Sequence, residues 1–95
     1  MSRFRLRYMS TDLELTLGEF VVGRSSSCSL AVEDGLVSRR HARFVVRADG
    51  VTVEDLGSRN GISVNGKTVT DARALSHLDR VKVGSQELLL IDTAT

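Results

Sequence analysis

Alternation with a period of two, interrupted every few residues by turn dipeptides, constrains this chain most. Phe4, Leu6 and Tyr8 alternate with Arg3, Arg5 and Arg7, and Leu13, Leu15 and Leu17 alternate with Glu14 and Thr16. Successive strand side chains point to opposite faces, so this spacing predicts strands with one face in a core. Leu17-Gly18-Glu19 reads as a short turn before a strand that starts at Phe20-Val21-Val22. Ala42, Phe44 and Val46 alternate with Arg43, Val45 and Arg47, and Asp49-Gly50 leads into Val51 and Val53. Both residues of an Asp-Gly or Asn-Gly pair tolerate φ > 0, so Asp49-Gly50 predicts one hairpin turn. Asn65-Gly66, between Ile62-Ser63-Val64 and Lys67-Thr68-Val69, predicts a second. Gly84-Ser85 divides Val81-Lys82-Val83 from a run reaching Ile91, and only Asp71 to Leu78 could hold a helical turn. Many short strands with regular turn signals indicate an all-β sandwich or barrel.

The 95 residues suffice for one domain, so 1–95 is expected to be a single module of a longer protein. No window is apolar enough to span a bilayer as a helix, and no secretory apolar segment follows the basic start MSRFRLRYMS. Cys28 is the one cysteine, which rules out an internal disulfide and fits a reducing, cytoplasmic setting. A net charge of +1, with three Phe, one Tyr and no Trp, argues against a nucleic-acid binder, which needs a basic excess or stacking rings.

Two segments are too rich in polar groups to be mere connections. One is the serine-rich stretch from Gly23 to Leu36, running into Val37-Ser38-Arg39-Arg40-His41; the other is Gly57-Ser58-Arg59-Asn60-Gly61. Guanidinium groups give two parallel hydrogen bonds to a phosphate and stay charged, hydroxyl and amide groups add donors, and glycines admit backbone N–H groups. The inventory suits a phosphate dianion. It equally describes solvated arginines in ordinary turns, and residue chemistry alone favours that plainer account, because nothing in it shows that the two loops meet.

The order of motifs adds what composition lacks. Gly23-Arg24, Ser38-Arg39-Arg40-His41, Asp55-Leu56-Gly57-Ser58-Arg59-Asn60-Gly61 and Val64-Asn65-Gly66 closely resemble forkhead-associated (FHA) domains, whose pattern runs G-R, S-R-x-H, D-L-x-S-x-N-G-x-x-V-N-G. Leu75 to Gly84 resembles the family's closing L-x-x-G-D-x-I-x-x-G. The resemblance implies an FHA/SMAD-like β-sandwich of about eleven short strands with ligand loops at one end. It implies a module that binds phosphothreonine in a partner protein of a Ser/Thr kinase pathway, without cofactor or metal. Recognition of phosphorylated motifs by arginine clusters is a known mode of peptide binding for this family. Arg24 would be the main cation on the phosphate, Ser38 would donate its hydroxyl to it, and Asn60 would bond the peptide main chain. Arg59 would act beside the phosphate and Arg39 would line the peptide path. Gly23, His41, Gly61 and Asn65 would support the site, His41 by bracing the Ser38 loop and Gly23 by letting the chain turn. Arg40 would face away from Arg39 if that stretch is extended.

Three positions depart from the family pattern. Ile62 replaces the usual Thr, Ser29 replaces a common acidic residue and so would tie the first loop down less firmly, and Leu78 replaces a Gly. None of these is an expected phosphate ligand. Two other functions fit the sequence less well. Catalysis would need a base from His41 or His77, but the chain has neither a G-x-S-x-G elbow nor a P-loop, so an enzyme is not expected. An FHA fold used for assembly independently of phosphorylation is the alternative, disfavoured because such modules usually lose the Arg or Ser that this chain keeps.

Overall fold

The computed structural model describes residues 2–95, and all its regular elements are strands. In chain order they are β1 (Phe4–Tyr8), β2 (Thr11–Leu15), β3 (Gly18–Gly23), β4 (Leu30–Ala31), β5 (Ala42–Arg47), β6 (Gly50–Asp55), β7 (Ile62–Val64), β8 (Lys67–Thr68), β9 (Arg73–Ala74), β10 (Arg80–Val83) and β11 (Gln86–Asp92). They form a six-stranded sheet, β2-β1-β11-β10-β7-β8, and a five-stranded sheet, β4-β3-β5-β6-β9. Only the β3–β4 pairing is parallel among these ladders. The alternating apolar residues face one shared core: Leu6, Leu88, Leu90 and Val81 from one sheet meet Val22, Phe44, Val51 and Val53 from the other, all buried. Burying each such side chain is worth about 1.5–3 kcal/mol, which is why a 95-residue chain without disulfides can hold two sheets together.

Pairing brings the polar loops to one end of the sandwich. Val22 pairs with Ala42, and Ala42 with Asp55. The end of β3, the start of β5 and the end of β6 therefore lie side by side, because the three strands run antiparallel. In the other sheet Val83 pairs with both Ile62 and Gln86, so the start of β7 adjoins the β10–β11 turn. The connections 24–29, 32–41 and 56–61 and the Gly84-Ser85 turn thus converge.

Most of the expected pattern is present, with instructive differences. Asn65 and Gly66 form a two-residue turn with φ of 52° and 84°, as their residue types predict. The turn expected at Asp49-Gly50 is instead Ala48-Asp49, since Arg47 pairs with Gly50. The observed register sets Arg43 opposite Glu54, and the two side chains bond; a turn one residue later would separate them. Leu17 lies outside β2 and is 71% exposed: Gly18, at φ 117°, already belongs to β3. The helical turn allowed between Asp71 and Leu78 does not form; β9 adds an edge to β6 there, with Thr52 opposite Ala74. A further turn, Met9-Ser10 between Tyr8 and Thr11, has φ of 50° and 65°. Neither residue type signals such a conformation.

Candidate anion-binding site

The first loop is built on a close approach. A Cβ on Gly23 would stand 2.1 Å from the Arg39 carbonyl oxygen, so glycine is required for space; Gly23 lies in β3 and makes no turn, contrary to the expectation. Against this flat edge, Arg24 N–H donates to the Ser38 carbonyl at 2.9 Å and Ser25 N–H to the Arg39 carbonyl at 3.1 Å. His41 is fully buried beneath them. Its Nδ1 accepts the Ser38 N–H at 3.0 Å, which assigns the ring proton to Nε2, and Nε2 donates to the Gly61 carbonyl at 2.7 Å. One imidazole therefore links both loops. Its bond to residue 38 is to the backbone, so the ring is not placed as a base on the Ser38 hydroxyl.

The second loop is shaped by its own side chains. Asp55 Oδ1 accepts Ser58 N–H at 2.8 Å, and Ser58 Oγ accepts Gly61 N–H at 2.9 Å. Gly57 and Gly61 both sit at φ 74°, where a side chain would be strained. The loop so formed meets the first one directly. Arg59 N–H donates to Ser38 Oγ at 3.0 Å, and Asn60 Nδ2 donates to the Leu36 carbonyl at 2.8 Å. Convergence of the two loops, which residue chemistry could not supply, is thus a property of the fold.

These bonds leave a particular set of donors facing outward. Ser38 Oγ already accepts from Arg59, so its own proton is left to give. Arg24 Nε is held by the Val37 carbonyl at 3.0 Å, which orients the guanidinium and leaves both terminal nitrogens open. Arg24, Arg39, Arg40 and Arg59 are all exposed, and none forms an ion pair among the described residues. Arg3, Arg7, Arg43 and Arg80, all on strands or next to one, each have a carboxylate partner. Arg47, at the far end of β5, and Arg73, on the edge strand β9, also lack one, but four unpaired arginines gather at the loops. An overall charge of +1 hides this local excess. Residues 39 and 40 lie in a bend, so the alternation assumed for Arg40 does not apply. Asn65, by contrast, bonds away from the loops, to Asp79 Oδ1 and the backbone of Arg80. Among the described residues no group of three His, Cys, Asp or Glu side chains could hold a metal.

Several contributors escaped the sequence reading. The Leu36 and Val37 carbonyls, which aim Asn60 and Arg24, carry no sequence signal, whereas the i, i+3, i+6 spacing of Asp55, Ser58 and Gly61 could have announced that loop. Ser29 does tie the first loop to β3, its Oγ accepting Val21 N–H at 3.0 Å.

Fold and loops define a class, a two-sheet β module presenting an arginine-rich loop cluster at one end. The chain belongs to the FHA family: the FHA domain model matches residues 20–84. It is similar to the FHA domain-containing protein FhaB of Mycobacterium tuberculosis, 34% identical over 82 residues, covering 84% of this chain and 53% of that protein. It spans about half the length of such curated relatives or less. Among solved structures, the FHA domain of the CT664 protein from Chlamydia trachomatis superposes with a TM-score of 0.89 at 31% identity, covering 96% of this chain and 98% of that one. A structure described for phosphothreonine-dependent FHA domain interactions matches with a TM-score of 0.87 at 25% identity, over 93% and 94% of the two chains.

Proposed function

We propose that this domain binds phosphothreonine in a partner protein and so makes a protein–protein interaction depend on a Ser/Thr kinase, within the cytoplasm and without catalysing a reaction. The observation that carries this is the gathering of four arginines, free of ion pairs among the described residues, at the loops that hold a Ser38 hydroxyl already accepting the Arg59 N–H and keeping its proton to donate. Arg24 supplies the principal charge, and bidentate guanidinium–phosphate bonds are among the stronger charge-assisted contacts. Ser38 donates its hydroxyl to a second phosphate oxygen. Asn60, held by Leu36 through one Nδ2 hydrogen, keeps its Oδ1 and its other hydrogen for the peptide main chain. Arg59 contributes beside the phosphate, and Arg39 lines the peptide path. The similar structure from work on phosphothreonine-dependent FHA domain interactions supports this assignment. An oriented phosphothreonine peptide library passed over the immobilised domain tests it. Specific sequences are expected to be retained, and to be lost after phosphatase treatment; equal retention of the dephosphorylated library would contradict the proposal and favour assembly independent of phosphorylation.

A further inference from the structure

Asp34 touches none of the residues expected to meet a ligand, yet both aimed side chains of the site trace back to it. Its Oδ2 accepts the Ser85 backbone N–H at 3.0 Å, the Ser85 hydroxyl, and Gln86 Nε2 at 3.3 Å. Its Oδ1 accepts Leu36 N–H at 2.9 Å, and its own carbonyl accepts Val37 N–H at 2.9 Å. One carboxylate therefore fastens the segment before Ser38 to the β10–β11 turn of the opposite sheet. Gly84 completes the junction, since a Cβ there would lie 2.6 Å from Val37 Cγ2 and 3.1 Å from Asp34 Oδ2. The two residues so fixed are the ones whose carbonyls hold the site: Leu36 receives Asn60 Nδ2, and Val37 receives Arg24 Nε.

We infer that Asp34 is a positioning residue for the anion site: by stapling residues 34–37 to the Gly84-Ser85 turn, it sets the Leu36 and Val37 carbonyls that aim Asn60 and Arg24. This rests on the binding function proposed above and makes Ser85, 51 residues from Asp34 in sequence and in a turn of the other sheet, part of what sets the site. Bonds from the Ser85 hydroxyl, then the Leu36 and Ser85 backbone, hold the Asp34 carboxyl well below the usual carboxylate range, so the staple persists throughout the neutral range. A preset loop lowers the ordering cost of binding, and loosening it is felt as lost affinity although no ligand contact is removed.

The test uses Asp34→Asn, Ser85→Ala and the double variant of the whole chain. In the free protein, NMR should show the Asn60 side-chain amide and the Arg24 Nε–H resonances shifted in both single variants. With a phosphothreonine peptide that the wild type binds, each should weaken affinity by roughly threefold to thirtyfold, as remote determinants do. The double variant should fall short of the product of the two losses, because both remove one junction. Ser85→Ala, at an exposed position, guards against the case in which Asp34→Asn does not fold. Lowered melting temperature with unchanged Asn60 and Arg24 signals and unchanged affinity would reduce Asp34 to a structural residue and overturn the inference. The free-protein spectra decide this even if the wild type were to bind no phosphopeptide, an outcome that would instead defeat the proposed function.

Discussion

At the scale of single residues, backbone groups aim the side chains of the proposed site. Arg24 is held by Val37, Asn60 by Leu36, and Ser38 by Arg59 and His41, so each arrives at the surface with its remaining donors already directed. Motif order was enough to pick out Arg24, Ser38 and Asn60 as candidates. What orients them was not legible, because a carbonyl oxygen leaves no mark on residue type and its usefulness depends on which loop comes to face it. Arg24→Ala should leave the fold intact, the side chain being exposed and outside the core. It should weaken phosphopeptide binding by about 2–5 kcal/mol, the cost of truncating one member of a desolvated charge pair. Calorimetric titration together with a thermal melt checks this; an unchanged affinity would remove Arg24 from the site.

At the scale of elements, turns explain both the successes and the errors of sequence reading. Asn65-Gly66 was legible because both residue types accept φ > 0 and both adopt it. Asp49-Gly50 was misplaced by one residue: the observed register sets buried Phe44 opposite Val53 and Val46 opposite Val51, pairings that a turn one residue later would undo, and burial outweighs local turn preference. Met9-Ser10 was invisible: the β1–β2 pairing imposes a conformation that neither residue prefers. Leu78 is a similar case. At φ 70° it takes the left-handed conformation that glycine would favour, while its N–H donates to the Leu90 carbonyl at 2.7 Å. The left-handed region costs a non-glycine residue roughly 1–2 kcal/mol, and the side chain is 53% exposed, so little packing offsets it. Leu78→Gly should therefore stabilise the domain by about 0.5–1 kcal/mol, since glycine's greater freedom in the unfolded chain takes back part of the gain. Chemical denaturation reads this directly, and a destabilised Leu78→Gly would show that the exposed leucine packs more than its accessibility suggests.

For the whole molecule, the two ends of the chain are joined. Arg3 Nε donates to Asp92 Oδ1 at 2.8 Å, Arg3 Nη2 donates to Asp92 Oδ2 at 2.9 Å, and Thr93 N–H and Oγ1 donate to the Arg3 carbonyl. Hydrogen bonding from Arg3 brings the Asp92 carboxyl down to about 2. Its folded value is thus below its unfolded one, near 4. The group therefore adds stability above about pH 4, and this is lost as pH falls from there through the folded value. Thermal melts between pH 2 and 7 should show a falling acid limb, shallower in Asp92→Asn, with Asp34 and Asp12 supplying what remains of the slope. An identical acid limb in wild type and variant would mean that Asp92 retains its interactions on unfolding or lacks them in the native protein.

The loops at one end of the sandwich are proposed to bind phosphothreonine specifically. The most direct measurement is calorimetry with three peptides identical but for one residue, carrying phosphothreonine, phosphoserine or threonine. Phosphothreonine and phosphoserine offer the same charge to Arg24 and Ser38, so only the methyl group separates them. Discrimination of one carbon in a fitted pocket is worth about 1–3 kcal/mol, and the methyl also limits side-chain freedom in the unbound peptide. The phosphothreonine peptide should bind roughly tenfold or more tightly than the phosphoserine peptide, and the threonine peptide should show no measurable heat. Equal affinity for the threonine and phosphothreonine peptides, or a preference for phosphoserine, would contradict phosphothreonine-specific binding.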